Sequence, residues 1–215
     1  MARFVLTKES SLADHILAEV RDKTTQQDRS RFRENVERLG SIMAYEISKK
    51  LEYQPVRTET PLGSANGKRL KDSPVLIAML RAGLPFFAGF QKFFSQSDAG
   101  FIGIQRIEGD KMPAIKTDYV ATPALEDRVV ILIDPMLATG LSVTDSVSRI
   151  LQNGTPRHIH IATLISTPTG IAQVESNVGV PHSIWTFAVD EKLDERFYIV
   201  PGLGDAGDLS FGEKL

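Results

Sequence analysis

The sequence predicts an α/β fold with a mostly parallel central sheet flanked by helices. Three observations carry this expectation. Val75–Leu80 and Val129–Ile133 are continuous apolar runs, the pattern of strands buried on both faces rather than half-exposed. Strand-like and helix-like stretches alternate from residue 74 onward, as chains that build parallel sheets with crossover helices do. The remaining apolar runs are short, and none approaches the roughly 20 residues of a membrane span.

Along the chain, residues 27–51 carry apolar side chains at Phe32, Val36, Leu39, Met43 and Ile47, spaced three or four apart, and read as an amphipathic helix. Residues 55–71 are polar, with Gly63, Asn66 and Gly67, and read as a loop or a weak hairpin. The strand Val75–Leu80 follows, then a helix over 83–94 and a strand over 101–104. Residues 106–121 look like a hairpin excursion turning at Gly109 and Asp110. After Val129–Ile133 come a helix over 142–151, a strand over 158–165, a helix over 168–176 and a strand over 183–189. Ligands of parallel sheets sit beyond the carboxyl ends of strands, so the loops after Leu80, Ile133, Ile165 and Val189 are the ones to inspect.

The 215 residues suit one domain, and 42% hydrophobic content allows a substantial core. The net charge of −2, from 25 basic and 27 acidic side chains, speaks against a dedicated nucleic-acid binder, which would show a basic excess or stripe. The absence of cysteine excludes disulfides and thiolate catalysis. Phe4-Val5-Leu6 is too short an apolar run for a signal peptide, so a cytoplasmic protein is expected.

The run Asp134-Pro135-Met136-Leu137-Ala138-Thr139-Gly140-Leu141-Ser142 leads from the strongest strand into a helix. A helix start offers unpaired N–H groups and a positive dipole end to an anion. Ala138 and Gly140 let the main chain approach a phosphate, and Thr139 and Ser142 add hydroxyl donors. Asp134 would repel phosphate. It suits sugar hydroxyls or positive charge developing on a ribose ring. An ordinary helix capped by Thr139 or Ser142 fits the same residues.

The form Asp-Pro-Met-Leu-Ala-Thr-Gly closely resembles the loop of type I phosphoribosyltransferases that binds 5-phosphoribosyl 1-diphosphate (PRPP). Pro135, where most relatives have a second acidic residue, makes it resemble the uracil phosphoribosyltransferases in particular. Two further blocks look familial. Leu80-Arg81-Ala82-Gly83 is similar to that family's pyrophosphate loop, where a cis peptide is often found; one is expected at Leu80–Arg81. Tyr198-Ile199-Val200-Pro201-Gly202-Leu203-Gly204-Asp205-Ala206 is similar to its uracil-binding loop. The resemblance runs from about residue 27 to the end and takes in Arg31-Phe32-Arg33. Two departures stand out: Leu141 replaces the usual glycine, and Gln105 precedes Arg106 where tyrosine is usual.

The resemblance implies a type I phosphoribosyltransferase fold over residues 1–215, with residues 1–70 as a helical arm and loop packed on the core. It implies a hairpin flap over 108–117 and a C-terminal base-binding hood. Uracil would be bound by Ile199, Gly204, Asp205 and Ala206, largely through main-chain groups. Arg81, Arg106, Asp134 and Asp205 would carry the chemistry, with residues 134–142 binding PRPP and Mg²⁺ held mainly by PRPP and water. The family commonly forms homodimers or larger homo-oligomers, and GTP or UTP can act as an effector. The fold also serves PRPP-sensing regulators that bind nucleic acid, and the lack of basic excess argues against that alternative. Purine specificity would call for an acidic residue in place of Pro135.

Other patterns carry less. Gly202-x-Gly204-x-x-Gly207 matches a dinucleotide fingerprint, but only eight residues follow Gly207, too few for a crossover helix. Residues 63–69 lack Walker spacing, and Asn153-Gly154-Thr155 reads as a helix-ending turn. His15, His158, His160 and His182 lack metal-ligand spacing. Trp185 reads as core, and Glu191, Asp194 and Glu195 as a solvated acidic turn in preference to a role around the base site.

Overall fold

The computed structural model describes residues 2–107 and 114–214, with the main chain alone for 105–107 and 114–117. In chain order the elements are β1 (Ala2–Val5), α1 (Leu12–Arg21), α2 (Arg29–Ser48), β2 (Tyr53–Thr60), β3 (Gly63–Leu70), β4 (Val75–Leu80), α3 (Gly83–Phe93), β5 (Ala99–Ile107), β6 (Ala114–Ala121), β7 (Val129–Ile133), β8 (Met136–Leu137), α4 (Leu141–Ile150), β9 (His158–Ser166), α5 (Pro168–Asn177), β10 (His182–Val189), β11 (Lys192–Leu193), β12 (Ile199–Val200) and α6 (Ala206–Phe211). The main sheet runs β1-β10-β9-β7-β4-β5-β6, with β8 added beside β9. Every pairing in it is parallel except β5 with β6. The expected α/β architecture is therefore present.

The apolar runs are buried on both faces because alternate residues serve two cores. Leu76, Ala78, Ile131 and Ile133 point to the layer that holds Phe86 and Phe90 of α3 and Phe32, Leu39 and Met43 of α2. Val75, Ile77, Val130 and Leu132 point to the layer of Val143, Val147 and Ile150 of α4 and Ile171 and Val174 of α5. This period of two, read on both faces at once, is what a continuous apolar strand encodes.

The topology places the site. From β4 the chain moves outward to β5 and β6; from β7 it moves the opposite way, to β9 and β10. β4 and β7 are neighbours, in register from Val75↔Val130 to Ala78↔Ile133. Their carboxyl ends flank the point where the winding reverses, the usual ligand crevice of an open parallel sheet.

Several local features go beyond expectation, or choose between its alternatives. The polar stretch after α2 is a regular antiparallel hairpin of β2 and β3, paired from Tyr53↔Leu70 to Thr60↔Gly63, with Leu62 wholly exposed at its tip. No element was expected over Leu12–Arg21. That segment is a helix opened by a Ser11–Asp14 capping box, and it buries Ala13, Ile16, Leu17 and Val20. β1 closes one edge of the sheet, where Phe4 stacks on Trp185 with ring centroids 3.9 Å apart. Trp185 is buried, as expected of a core residue. The turn expected at Gly109 and Asp110, and most of the flap with it, lies outside the described residues.

Trp185 Nε1 donates to His160 Nδ1 at 3.1 Å, so the His160 ring must keep that nitrogen unprotonated. Burial, and then the neighbouring His158 ring, push the His160 pKa down to about 3. Burial first, and then His182, also lower that of His158. The unfolded chain takes up these protons near about pH 6.5 while the folded chain resists them, so stability must fall as pH drops from about 6.5 toward 3. His160→Gln keeps an acceptor for Trp185 without the titration. Its thermal melts should decline less steeply below about pH 6.5 than those of the parent, and matching slopes would contradict this origin.

Candidate active site

A cleft of about 920 Å³ opens at the carboxyl ends of β4 and β7. Arg81, Asp134, Met136, Ala138, Ser142, Ile199, Gly204, Asp205 and Ala206 all line it. The two glycine-bearing blocks expected to bind phosphate and base, some 60 residues apart in the chain, thus share one cavity.

The loop after β7 is fastened from behind. Pro135 O accepts from Leu164 N and Ile165 N at 3.0 and 3.2 Å, and Met136–Leu137 pairs with β9. Proline suits the position because it lacks an N–H and here needs only its carbonyl. Leu137 O accepts from Thr167 N at 3.0 Å, and Ala138 O from Thr167 Oγ1 at 2.6 Å. The α4 start receives no cap from its N-cap side chain, and its first N–H groups have no intrahelical acceptor.

The cap itself differs from expectation. Neither Thr139 nor Ser142 is the N-cap; Gly140 is, at φ 80°. A Cβ there would lie 2.7 Å from Gly170 O and 2.8 Å from Gln173 Cβ. Gly140 therefore serves a left-handed turn and the packing of α4 on α5, on the side away from the cleft. It does not line the cavity, and neither do Pro135, Leu137, Thr139 or Leu141. Leu137 is fully buried. Thr139 Oγ1 instead accepts from Leu141 N at 3.4 Å.

On the β4 side, the Leu80–Arg81 peptide is cis, as expected, and so is Val200–Pro201. Arg81 Nη2 donates to Asp208 Oδ1 at 3.0 Å and to Gly212 O at 3.2 Å, tying this loop to the C-terminal segment. Among the described residues, Arg81 Nε is a buried donor with no hydrogen-bond partner. Asp205 caps α6: its Oδ1 accepts from Gly207 N at 2.8 Å and Asp208 N at 3.0 Å. Both bonds use Oδ1, which leaves Oδ2 for a ligand. Arg106 lies in β5 two residues beyond the cleft residue Ile104, and its side chain falls outside the described residues.

Sequence reasoning missed two parts of the site. The acidic turn after β10 is not simply solvated. β11 and β12 pair antiparallel, Asp194 Oδ1 holds the intervening turn through Arg196 N and Tyr198 N at 2.9 and 2.8 Å, and Glu195 through Tyr198 line the cleft. The signal was available: Asp followed by main-chain donors two and four residues on is a turn-forming pattern. The role of Thr167 was also missed, since nothing local to Ser166-Thr167-Pro168 announces a partner 29 residues earlier.

Gly140→Val should destabilise the fold by about 2 kcal/mol or more, from the left-handed turn and the clash with α5, and not merely weaken ligand binding. Gly170→Ala, whose Cβ would lie 2.5 Å from Ala138 O, should destabilise as well. Urea unfolding checks both, and an unchanged midpoint in either would contradict the packing described.

Comparison with known proteins places this architecture. A family model described as uracil phosphoribosyltransferase matches residues 7–213. The uracil phosphoribosyltransferase of Porphyromonas gingivalis is 44% identical over 211 residues, covering 98% of each chain. That of Malacoplasma penetrans is 40% identical over 207 residues, covering 94% of this chain and 98% of its own. Among solved structures, the AQ2163 protein from Aquifex aeolicus superposes with a TM-score of 0.87 at 28% identity, over 98% of both chains. A hypoxanthine phosphoribosyltransferase from Staphylococcus aureus shares the fold at a TM-score of 0.50 and 13% identity, over 80% of this chain and 85% of its own. With its sheet order, its cleft and these relatives in agreement, the chain belongs to the uracil phosphoribosyltransferase family.

Proposed function

We propose that this protein transfers the phosphoribosyl group of PRPP to N1 of uracil, giving UMP and diphosphate. One observation carries the reading beyond family membership: the phosphate-type loop, Arg81 and the Gly204–Ala206 segment line a single cleft. The bond from uracil N1 to the anomeric carbon forms as the bond from that carbon to the diphosphate oxygen breaks, and the N1 proton leaves.

In this reading the 5′-phosphate sits against main-chain amides of residues 138–142 and the Ser142 hydroxyl, at the positive end of α4. Asp134, at the carboxyl end of β7, faces the ribose and favours the positive charge that develops on the ring. Arg81 meets the diphosphate. Its Nε, buried and without a partner among the described residues, is suited to a phosphate oxygen, and a guanidinium can do this in a fork. Arg106 is assigned the same leaving group. Asp205 reaches the PRPP end of the site through the oxygen that its capping bonds leave over.

The described residues bring together no group of three or more His, Asp or Glu side chains that could hold a metal ion. In this reading a magnesium ion is held by PRPP oxygens and water. When bound, it would neutralise charge on the departing diphosphate.

Main-chain groups at Ile199, Gly204 and Ala206 suit uracil, whose edge alternates carbonyl acceptors with N–H donors. Cytosine places an amine where uracil has a carbonyl, leaving a main-chain donor unpaired, which is a strong basis for rejection. We further propose that residues 1–215 act as one phosphoribosyltransferase domain and assemble as a homodimer or larger homo-oligomer. The exposed β2–β3 hairpin, with Leu62 at its tip, suits such an assembly. No described helix is long and apolar enough to cross a membrane, which fits a cytoplasmic setting.

Incubation with PRPP, Mg²⁺ and a panel of bases should yield UMP from uracil and negligible product from cytosine or purines. A purine nucleotide as main product, or none at all, would contradict the assignment. Asp205→Asn keeps a competent helix cap but removes the carboxylate charge. It should lower kcat/KM by about 10²-fold or more with the melting temperature little changed; near-parent turnover would remove Asp205 from the chemistry.

A further inference from the structure

We propose that Arg21 and Asp190 are positioning residues for base recognition: a forked ion pair from the N-terminal helix fixes the turn at Gly202 and thereby the main-chain groups that meet uracil. The inference deepens the function proposed above and rests on it.

Arg21 is the last residue of α1, and Asp190 directly follows β10. Arg21 Nη1 donates to Asp190 Oδ2 and Nη2 to Oδ1, both at 2.8 Å, the two-bond geometry that makes an arginine–carboxylate pair directional. Asp190 is only 6% exposed. Its main chain is anchored too, with Asp190 N donating to Ser166 O at 2.8 Å.

The pair also takes up both main-chain polar groups of Gly202. Gly202 N donates to Asp190 Oδ2 at 2.9 Å, and Gly202 O accepts from Arg21 Nη1 at 3.0 Å. Gly202 lies three residues after Ile199 and two before Gly204, at the bend of the segment whose ends line the cleft. Leu203, next in the chain, is buried in the core. Neither Arg21 nor Asp190 lines the cleft, so neither touches a ligand there.

Recognition by main-chain groups makes such a clamp necessary. A side chain can adjust a hydrogen bond by changing rotamer, whereas a main-chain N–H moves only when its segment moves. Matching the edge of a small planar base therefore requires the segment to be held before the base arrives, and this lowers the cost of binding. The clamp does so from outside the cleft, with a charge pair largely withdrawn from water. Loss of either partner leaves the other charge poorly compensated.

A brace that served stability alone would weaken both substrates together or neither. A clamp on the base segment should split them. The full-length chain and its Arg21→Gln, Asp190→Asn and Arg21→Lys variants are assayed with uracil and PRPP varied in turn, alongside thermal melts. The expected result is a uracil KM raised about tenfold or more in Arg21→Gln and Asp190→Asn, equivalent to about 1.4 kcal/mol, with the PRPP KM within about twofold of the parent. Arg21→Lys, which keeps the charge but loses the fork, should fall between. Should the first two fail to fold, Arg21→Lys decides by the same split. Equal shifts in both constants, or no shift in a folded variant, would overturn the proposal while leaving the function intact. No UMP from the parent chain would overturn the function, and this proposal with it.

Discussion

The site depends on how the loop after β7 is held from behind. Thr167 uses its amide on Leu137 O and its hydroxyl on Ala138 O, and the same hydroxyl accepts from Gly170 N to cap α5. One fully buried threonine thus starts a helix and orients the neighbouring loop. The loop carbonyls are spent on α5, and α4 starts without a cap from its N-cap residue, leaving helix-start amides of the kind that suit an anion. The glycines at 140 and 170 make the same contact possible by their lack of side chains.

The second half of the site is built from the end of the chain and is fastened to the beginning. Asp205 caps α6, Arg81 reaches Asp208 and Gly212, and Arg33 of α2 donates to Ser210 O at 2.8 Å. Together with the Arg21–Asp190–Gly202 clamp, these bonds place the C-terminal segment over the point where the sheet reverses its winding. α1 and α2 therefore do more than cover one face of the sheet: they support the C-terminal segment that lines the cleft. These bonds act together with the burial of Ile199, Leu203 and Ala206 in the core.

The central architecture was legible because it rests on patterns with few alternatives. Val75–Leu80 and Val129–Ile133 were read with their observed bounds, since a strand between two helical layers must be apolar at every position. The long α2 showed its three-and-four spacing, and the blocks at Arg81, Asp134 and Gly204 were found through family resemblance. What escaped was either short or non-local. β1 has four residues at a sheet edge, too few to show a period. Leu12–Arg21 did carry a signature, a capping box with apolar residues at 13, 16, 17 and 20, and could have been read. Arg21 and Asp190 stand 169 positions apart, and only the fold makes them neighbours. Gly140 was legible as a glycine the loop requires, and the structure adds a reason the sequence did not show: crowding toward α5.

The central claim is that main-chain groups at two distant points of the chain hold the two ends of one nucleotide. A crystal structure of the complex with UMP tests it most directly. The account predicts the phosphate within hydrogen-bonding distance of amides in residues 138–142 and the uracil edge against main-chain groups of Ile199, Gly204 and Ala206. A phosphate seated away from the start of α4, or a base held by side chains elsewhere, would contradict it.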